Sequence, residues 1–159
     1  MMNRRSILSI FAVTLLGVTF AAGNSVAQKS SEMDAVKAAN QAFYTALSAR
    51  DVGALQKLWS SDADIQNMGP RSKAAEVGWV AIKKSLEGTF DIFPELKVSM
   101  EQPRIKINGS TAWVNGIEKA QRKNKAGEVS SGTNLGTSIF VKQGGRWLMV
   151  YHHASAVPQ

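Results

Sequence analysis

The 159-residue chain contains no cysteine. It therefore cannot form a disulfide, carry a lipid on an N-terminal cysteine, or use a thiol as a nucleophile or zinc ligand. Its fold must be stabilised by side-chain packing, and the 44% of hydrophobic residues are enough for the core of one domain of this length.

Histidine is scarce, so the chain has few residues that could bind a transition metal. His152 and His153 are the two histidines of the chain. Neighbouring residues on a strand point to opposite faces, so these two side chains cannot chelate one ion together. We expect no metal site and no cofactor.

Aromatic residues are missing from the most basic segment. The chain has a formal net charge of +7, and part of this excess lies in Lys119, Arg122, Lys123 and Lys125. A nucleic-acid site would need aromatic rings among these cations to stack bases, and residues 118–128 contain none. We interpret the segment as the solvated tip of a hairpin and expect no nucleic-acid partner.

The first 27 residues have the pattern of a cleavable export signal. Arg4 and Arg5 precede an apolar run over residues 7–22, and the small residues 25–27 follow it. A membrane anchor is the alternative, but the run is shorter than the roughly 20 apolar residues that span a bilayer. We predict cleavage after Ala27 and a periplasmic or extracellular protein without stable membrane insertion. The arginine pair leaves both general secretory and twin-arginine export open.

Three segments have apolar residues at helical spacing, which predicts three helices. The first spans about residues 32–49, the second follows an N-cap at Asp51, and the third spans residues 78–90 and ends before Pro94. A short strand is predicted at residues 63–68, before a turn at Gly69-Pro70.

After Pro94 the apolar residues alternate with polar ones, which predicts strands. Turns at Asn108-Gly109, at residues 125–127 and at residues 143–145 divide this region into four long strands, and Pro103 interrupts the first of them as at a bulge. Because the helices precede the strands, we predict an α+β fold in which helices cover one face of a curved antiparallel sheet.

Two local stretches, together with this order of elements, carry a resemblance to a known family. Residues 49–55 read Ala-Arg-Asp-Val-Gly-Ala-Leu and lead through Trp59 to Asp62-Ala63-Asp64, and residues 144–155 read Gly-Gly-Arg-Trp-Leu-Met-Val-Tyr-His-His-Ala-Ser. From Met33 to Ser155 the chain resembles the nuclear transport factor 2-like superfamily, most closely its SnoaL-like domains. The last stretch is also similar to the calcium/calmodulin-dependent protein kinase II association domain. The resemblance implies a cone-shaped domain over residues 28–159, with three N-terminal helices packed on a strongly curved antiparallel sheet.

The resemblance also implies candidate activities. Ketosteroid isomerases, dehydratases and polyketide cyclases of this superfamily move protons on apolar substrates inside the cone. The isomerases use a tyrosine of the first helix and a carboxylate of the first strand, and the matching positions here hold Phe43 and Asn67. Neither can replace those groups, so we do not expect the isomerase reaction. A shift of the alignment would bring in Tyr44 or Asp64, but Tyr44 would then point about 100° away.

Strict alternation assigns the two faces of the last strand. One face would carry Trp147, Met149, Tyr151, His153 and Ser155, and the other Leu148, Val150, His152 and Ala154. The second set is almost wholly apolar, so we predict that it lies on the convex face and forms a homodimer, while the first set lines the cone. His153 would then be the candidate acid, base or hydrogen-bond donor of the pocket. A structural histidine bonded to a neighbouring strand is the alternative.

We therefore predict a pocket for a small, partly apolar ligand. Its wall is expected to contain Phe43, Asn67, Trp79, Trp113, Tyr151 and His153. Binding without turnover is the preferred hypothesis because the recognisable isomerase pair is absent. The alternative is an enzyme of the ketosteroid isomerase, dehydratase or cyclase type that uses His153, with Asp64 or Tyr44, for proton transfer on a carbonyl substrate. An assembly module like the kinase association domain is a third hypothesis.

Overall fold

The computed structural model describes the backbone of residues 19–158 and the side chains of residues 28–158. The predicted leader, residues 1–27, lies outside the described side chains, so cleavage and export stay predictions. Within the described part of the chain, no helix has both the length and the apolar character needed to cross a bilayer.

Helices precede the long strands along the chain, which confirms the predicted α+β fold. The elements are, in order, α1 (Thr19–Ala49), α2 (Val52–Leu58), β1 (Gln66–Met68), β2 (Glu76–Val77), α3 (Gly78–Ile92), β3 (Glu95–Asn108), β4 (Thr111–Lys123), β5 (Val129–Gln143) and β6 (Arg146–Ala156). Helix α1 begins earlier than the predicted start near residue 32, β1 is shorter than predicted, and β2 was not predicted.

The junction between α1 and α2 is built from local hydrogen bonds. Arg50 has a positive φ of 58°, which ends α1, and the Asp51 amide donates to the carbonyl of Ala46 at 3.0 Å. The Asp51 carboxylate accepts from the amide of Ala54 at 2.8 Å, so Asp51 is the N-cap that the sequence predicts. The chain therefore turns back at once, and the buried Leu55 and Trp59 reach the core.

The six strands form one open sheet with the order β2-β1-β6-β5-β4-β3. Strands β3 to β6 pair antiparallel with their neighbours, as predicted, but β1 pairs with β6 in parallel. The predicted antiparallel sheet is thus confirmed for the four long strands, and the parallel pairing of the short β1 is an addition at one edge. A parallel pair needs a long crossover, and here α3 and the β3–β5 meander separate β1 from β6 along the chain.

Tight turns close the meander, two of them where the sequence predicts and the first displaced by one residue. In the first, Asn108 pairs with Thr111, so the central residues are Gly109 and Ser110, one position later than predicted. Gly109 has a φ of 57°, whereas Asn108 does not have a positive φ, so the predicted type I′ turn centred on Asn108-Gly109 is wrong.

Two bulges interrupt the alternation of the long strands. One lies between Glu101 and Arg104 of β3, beside Pro103, as predicted. The other lies in β6: Met149 pairs with Phe140, whereas Tyr151 pairs with Ile139, which leaves Val150 as an extra residue. The extra residue reverses which face each later residue of β6 occupies.

The helices pack against the face of the sheet that we call the inner face. It carries the buried residues Ala112 and Val114 of β4, Ser138 and Phe140 of β5, and Trp147, Met149, His152 and Ala154 of β6. Tyr151 and His153 lie on the opposite, outer face. Strict alternation was therefore correct for Trp147 and Met149, but it was wrong from Tyr151 to Ser155, because the extra residue Val150 precedes them.

Apolar side chains from both layers meet between the helices and the inner face. Val36 and Phe43 of α1 and Ile82, Leu86 and Phe90 of α3 contribute from the helices. Complete burial of one such side chain stabilises the fold by about 1.5–3 kcal/mol. The helix spacing that the sequence shows is thus the spacing that fills this core.

Candidate functional site

A cavity of about 510 Å³ opens between the helices and the inner face of the sheet. Its apolar wall includes Phe43, Leu47, Leu86, Ile92, Leu96 and Val98. Its polar wall includes Asn67, Glu76, Glu118, Arg122, Asn134 and His152. An apolar cavity with a few converging polar groups has the composition of a small-molecule site.

A buried carboxylate, Glu118, lies in the wall with several hydrogen-bonding partners around it. The hydroxyl of Tyr44 donates to Oε1 of Glu118 at 2.6 Å, and Nε2 of His152 lies 3.4 Å from the same oxygen. The Asn134 amide reaches the other oxygen, Oε2, at 3.4 Å. Glu118 is 3% exposed, so the protein rather than bulk water solvates most of this carboxylate.

The sequence makes room for Glu118 by placing a glycine across the ladder. Asn134 pairs directly with Glu118, and Gly136 lies two residues further along β5 on the same face. A Cβ atom at Gly136 would lie 2.8 Å from Cγ and Oε1 of Glu118, closer than such atoms approach. Gly136 therefore provides the space in which the carboxylate meets Tyr44 and His152.

Burial sets the protonation of the neighbours of Glu118. Burial is the main cause that lowers the pKa of His152. The charge of Glu118 acts in the opposite direction and raises this pKa, whereas the charge of His153 lowers it further. Burial, followed by the charge of Glu118, raises the pKa of Tyr44 far above its ordinary range. At neutral pH His152 is therefore an uncharged imidazole and Tyr44 a phenol that donates.

The surroundings of His152 favour one tautomer of the imidazole. Oε1 of the Glu118 carboxylate lies 3.4 Å from Nε2 of His152, and a protonated Nε2 is electrostatically more favourable beside that oxygen than a lone pair. Nδ1 then accepts from the Ser138 hydroxyl, 3.2 Å away. Ser138, His152, Glu118 and Tyr44 thus form one continuous buried network.

A second polar cluster holds the rim of the cavity beside β1 and β2. The Asn67 amide donates to Oε2 of Glu76 at 2.5 Å, while the hydroxyls of Ser72 and Ser85 donate to Oε1 at 2.9 and 2.6 Å. The Ser72 hydroxyl also accepts from the amide of Gly69 at 2.9 Å. Glu76 therefore fixes the segment between β1 and β2 against α3.

Two arginines and an aromatic ring lie at the mouth of the cavity. The guanidinium carbons of Arg71 and Arg122 lie 4.7 and 5.9 Å from the centre of the Phe93 ring. Burial lowers the pKa of Arg122, as does the charge of Arg71, while the charge of Glu118 raises it. The mouth therefore carries two cations, and the inner wall carries a carboxylate.

The predicted site residues separate into two groups. Phe43 and Asn67 lie in the cavity wall, where they were expected. Tyr151 and His153 lie on the outer face, because the bulge at Val150 gives the inward position to His152. The prediction that His153 and Tyr151 face the pocket is therefore wrong, and the structure offers no pocket position in which His153 could be catalytic.

The two predicted tryptophans are also outside the cavity wall. Trp113 lies on the outer face of β4, where Lys106 stacks on its ring at 5.4 Å, and Trp79 of α3 packs against the core instead. The carboxylates of Asp62 and Asp64 are exposed, so they do not form a buried pair. Within residues 19–158, no three histidine, aspartate or glutamate side chains are grouped to hold a metal ion.

Sequence reasoning missed Glu118, although β4 contains a signal for it. Glu118 has the same strand parity as Ala112, Val114 and Ala120, which all face inward. A glutamate at an inward position of an otherwise apolar set is a strong indication of a buried functional group. Its place at the start of a basic segment concealed that pattern.

The three helices, the curved sheet and the cavity between them define a cone of the nuclear transport factor 2-like class. The family model of the SnoaL-like domain matches residues 36–159, so the chain belongs to this family. No curated protein is significantly similar in sequence.

Solved structures share the fold at low sequence identity. A candidate dehydratase of the nuclear transport factor 2-like family from Streptomyces avermitilis is 20% identical, with a TM-score of 0.75 over 82% of this chain and 99% of that one. A ketosteroid isomerase-like protein from Erwinia carotovora atroseptica is 21% identical, with a TM-score of 0.69 over 80% and 98%. A candidate calcium/calmodulin-dependent protein kinase II association domain from Xanthomonas campestris is 19% identical, with a TM-score of 0.65 over 74% and 81%.

The lowered pKa of His152 predicts loss of stability in mild acid. The unfolded chain takes up a proton near the ordinary value of 6.5, whereas the folded protein resists it. The contribution of His152 to the free energy of unfolding is therefore fully present above pH 6.5. It falls by roughly 1 kcal/mol per pH unit as the pH drops from there towards the pKa of the folded protein. Thermal unfolding between pH 7.5 and 5 measures this slope.

A matched pair of variants isolates the residue responsible. We expect His152→Gln to flatten the dependence on pH between 7.5 and 5, whatever its effect on stability at pH 7.5. His153→Gln, one residue away on the outer face, should keep the wild-type slope. Equal slopes in wild type and His152→Gln would contradict the assignment.

Proposed function

We propose that this SnoaL-like protein binds a small, partly apolar carbonyl compound in its cavity and moves a proton on it. The observation that carries this proposal is the carboxylate of Glu118, which is buried at the cavity wall between Tyr44 and His152. The cavity, about 510 Å³, lies within the range of small-molecule sites.

The cost of burying Glu118 supports a functional role. A carboxylate removed from water is destabilising by several kcal/mol unless hydrogen bonds and nearby charges compensate, and an apolar side chain of similar volume would often be at least as stable there. Here the chain supplies Tyr44, His152 and Asn134 around the carboxylate, and Gly136 leaves it space. Such arrangements in a cavity are typical of acid–base sites.

The two oxygens of Glu118 differ in how they are held. Oε1 accepts the short bond from Tyr44 and faces His152, while Oε2 has one long contact with Asn134. Oε2 is therefore the freer oxygen and the proposed base. Tyr44 and His152 are positioning residues in this scheme, because they hold Oε1 and so orient Oε2.

In the proposed step, Oε2 of Glu118 takes a proton from the carbon next to the carbonyl group of the ligand. The amides of Asn67 and Asn134 lie in the same wall and can donate to the carbonyl oxygen as negative charge develops on it. The proton then returns to another carbon, or leaves with a hydroxyl group of the ligand as water. These outcomes are isomerisation and dehydration, which the names of two structural relatives describe for those proteins.

Binding without turnover is the second candidate function, and one observation favours it. Oε1 of Glu118 and both ring nitrogens of His152 already have partners within the protein. A network that is complete without a ligand can serve to stabilise the core. The cavity would then hold its ligand without reacting with it.

Replacing the proposed base distinguishes the two functions. We expect Glu118→Gln to keep ligand binding and to lower proton transfer by about 10²–10⁴-fold, because the amide is almost the same shape and is not a base. The measurement is deuterium incorporation next to the carbonyl group, followed by NMR in D₂O. The substrate is the compound released from the purified protein under denaturing mass spectrometry, or 2-oxo-4-phenylbutanoate if none is released.

Glu101→Gln is the matched control, because Glu101 is an exposed glutamate of the same sheet outside the cavity wall. It should exchange at the wild-type rate. Wild-type exchange in Glu118→Gln would contradict the role of Glu118. A bound compound that wild type does not exchange would establish binding without turnover.

We also propose a homodimer through the outer face of the sheet. The outer face carries Trp113, Ile117, Leu135, Ile139 and Tyr151, and Leu135 is 58% exposed. These residues, rather than the predicted His152 and Ala154, form the candidate interface, because the bulge turns the latter two inward. An apolar sheet face of this kind is a typical protein interface.

A charge on the outer face should prevent association. We expect Leu135→Arg to elute as a monomer when wild type elutes as a dimer, measured by size-exclusion chromatography with light scattering. Val80→Arg is the control, since Val80 is 83% exposed but lies on α3. A monomeric wild type, or a dimer in Leu135→Arg, would contradict the proposed interface.

The pattern of residues 1–27 supports the proposal that the protein is exported and processed. Expression with its own N-terminal segment should place the protein in the periplasm or medium, with an intact mass that begins at Gln28. An unprocessed mass in the cytoplasmic fraction would be the contrary result.

A further inference from the structure

We infer that the ligand of the cavity is a carboxylic acid whose carboxylate is bound at the mouth by Arg122 and Arg71. The inference rests on the proposed function in so far as a ligand must enter the cone. It adds the substrate class and its orientation: an acidic head group at the mouth and an apolar, carbonyl-bearing body towards Glu118.

The first argument is that two cations share the wall and that neither has a carboxylate partner at ion-pair distance in the described part of the chain. Arg71 and Arg122 both line the cavity and both lie over the Phe93 ring. Within residues 28–158, neither forms a salt bridge with an aspartate or glutamate. Their like charges repel, which is one reason why the pKa of Arg122 is lowered. An anion between them would remove this repulsion.

Two lysines close to Arg122 in the chain do form salt bridges. Lys123, adjacent to Arg122 on β4, pairs with Glu95 at 2.7 Å, and Lys125 pairs with Asp91 at 2.6 Å. Glu95 and Asp91 therefore neutralise cations outside the cavity, whereas, among the described residues, the two arginines of the cavity wall keep no acidic partner of this kind. Glu118 attracts Arg122 from within the same wall but forms no ion pair with it, so an anion of the ligand can still pair directly with Arg71 and Arg122.

The second argument is that Arg122 is held in place by the fold. It follows Glu118 by four residues on β4, so both side chains belong to the inner face. A Cβ atom at Gly132 would lie 3.3 Å from a guanidinium nitrogen of Arg122, so Gly132 leaves the space that the group occupies. With the Phe93 ring on it as well, the guanidinium is partly buried and oriented before a ligand binds. A preorganised, planar donor pair suits a carboxylate.

The spacing along β4 sets the orientation of the ligand. Four residues of strand correspond to roughly 13 Å between the Cα atoms of Glu118 and Arg122. Both side chains line the cavity, so a compact aromatic acid can contact Arg122 and extend towards Glu118. A monoanion fits better than a dianion, because Glu118 and Glu76 already place carboxylates in the wall.

Two probes of almost identical shape test the inference. 2-Naphthoate carries the carboxylate, and 2-naphthamide replaces it with a neutral group. We expect wild type to bind naphthoate at least tenfold more tightly by calorimetry in 50 mM salt, with the preference reduced in 500 mM salt. We expect Arg122→Gln and Arg71→Gln each to reduce the ratio of the two affinities several-fold. Arg104 is an exposed arginine of β3, and Arg104→Gln, the control, should keep the wild-type ratio.

The outcomes separate this inference from the proposed function. Equal affinity for the two probes in wild type overturns the carboxylate assignment and leaves ligand binding in the cone standing. Tighter binding of naphthyl phosphate than of naphthoate also overturns it, in favour of a phosphate. Failure of wild type to bind any of the probes overturns the inference, whereas the proposed function is then judged by the compound that the purified protein releases. Arg71 is exposed, so Arg71→Gln gives a result even if Arg122→Gln fails to fold.

Discussion

The hydroxyl of Tyr44 and the carboxylate of Glu118 meet at 2.6 Å inside the protein, and this bond joins α1 to β4, an interior strand of the sheet. A carboxylate at this depth is tolerated only while donors surround it. Three features must therefore be present at once. They are the position of α1, the β4–β5 register that places Asn134 opposite Glu118, and the space above Gly136. A change in any of them would leave a buried charge without its partners, so the electrostatics of one residue constrain the geometry of both layers.

A single extra residue in β6 decides what the two faces of the sheet can do. Without the bulge at Val150, the chain would direct His153 into the cavity and His152 outward. With it, His152 completes the network of Glu118, while Tyr151 and His153 join the apolar outer face. The pocket and the proposed dimer interface thus depend on the same local irregularity, because the two faces of a strand cannot be shifted independently.

The charges of the cavity are arranged by depth. Arg71 is exposed and Arg122 half-buried, whereas Glu118 is buried, and Ala120 is the inward residue between Glu118 and Arg122 on β4. The positions that match the isomerase tyrosine and carboxylate hold Phe43 and Asn67, and the buried acid comes from β4 instead. The fold that the chain shares with SnoaL-like proteins therefore supplies the cavity, whereas the chemistry depends on which strand carries the acid.

The sequence by itself determined the class of fold, the helix spacing, the cap at Asp51 and the bulge at Pro103, because each follows from contacts between residues close in the chain. It also placed Phe43 and Asn67 in the cavity wall, through a resemblance that extends over the helices and the first strand. Only the tertiary structure decided that His152 rather than His153 faces inward, that β1 joins β6 in parallel, and that Tyr44, Glu118 and His152 meet. Those outcomes depend on pairing between segments far apart in the chain, where one extra residue reverses the faces of a strand and leaves little trace in the periodicity that a single sequence displays.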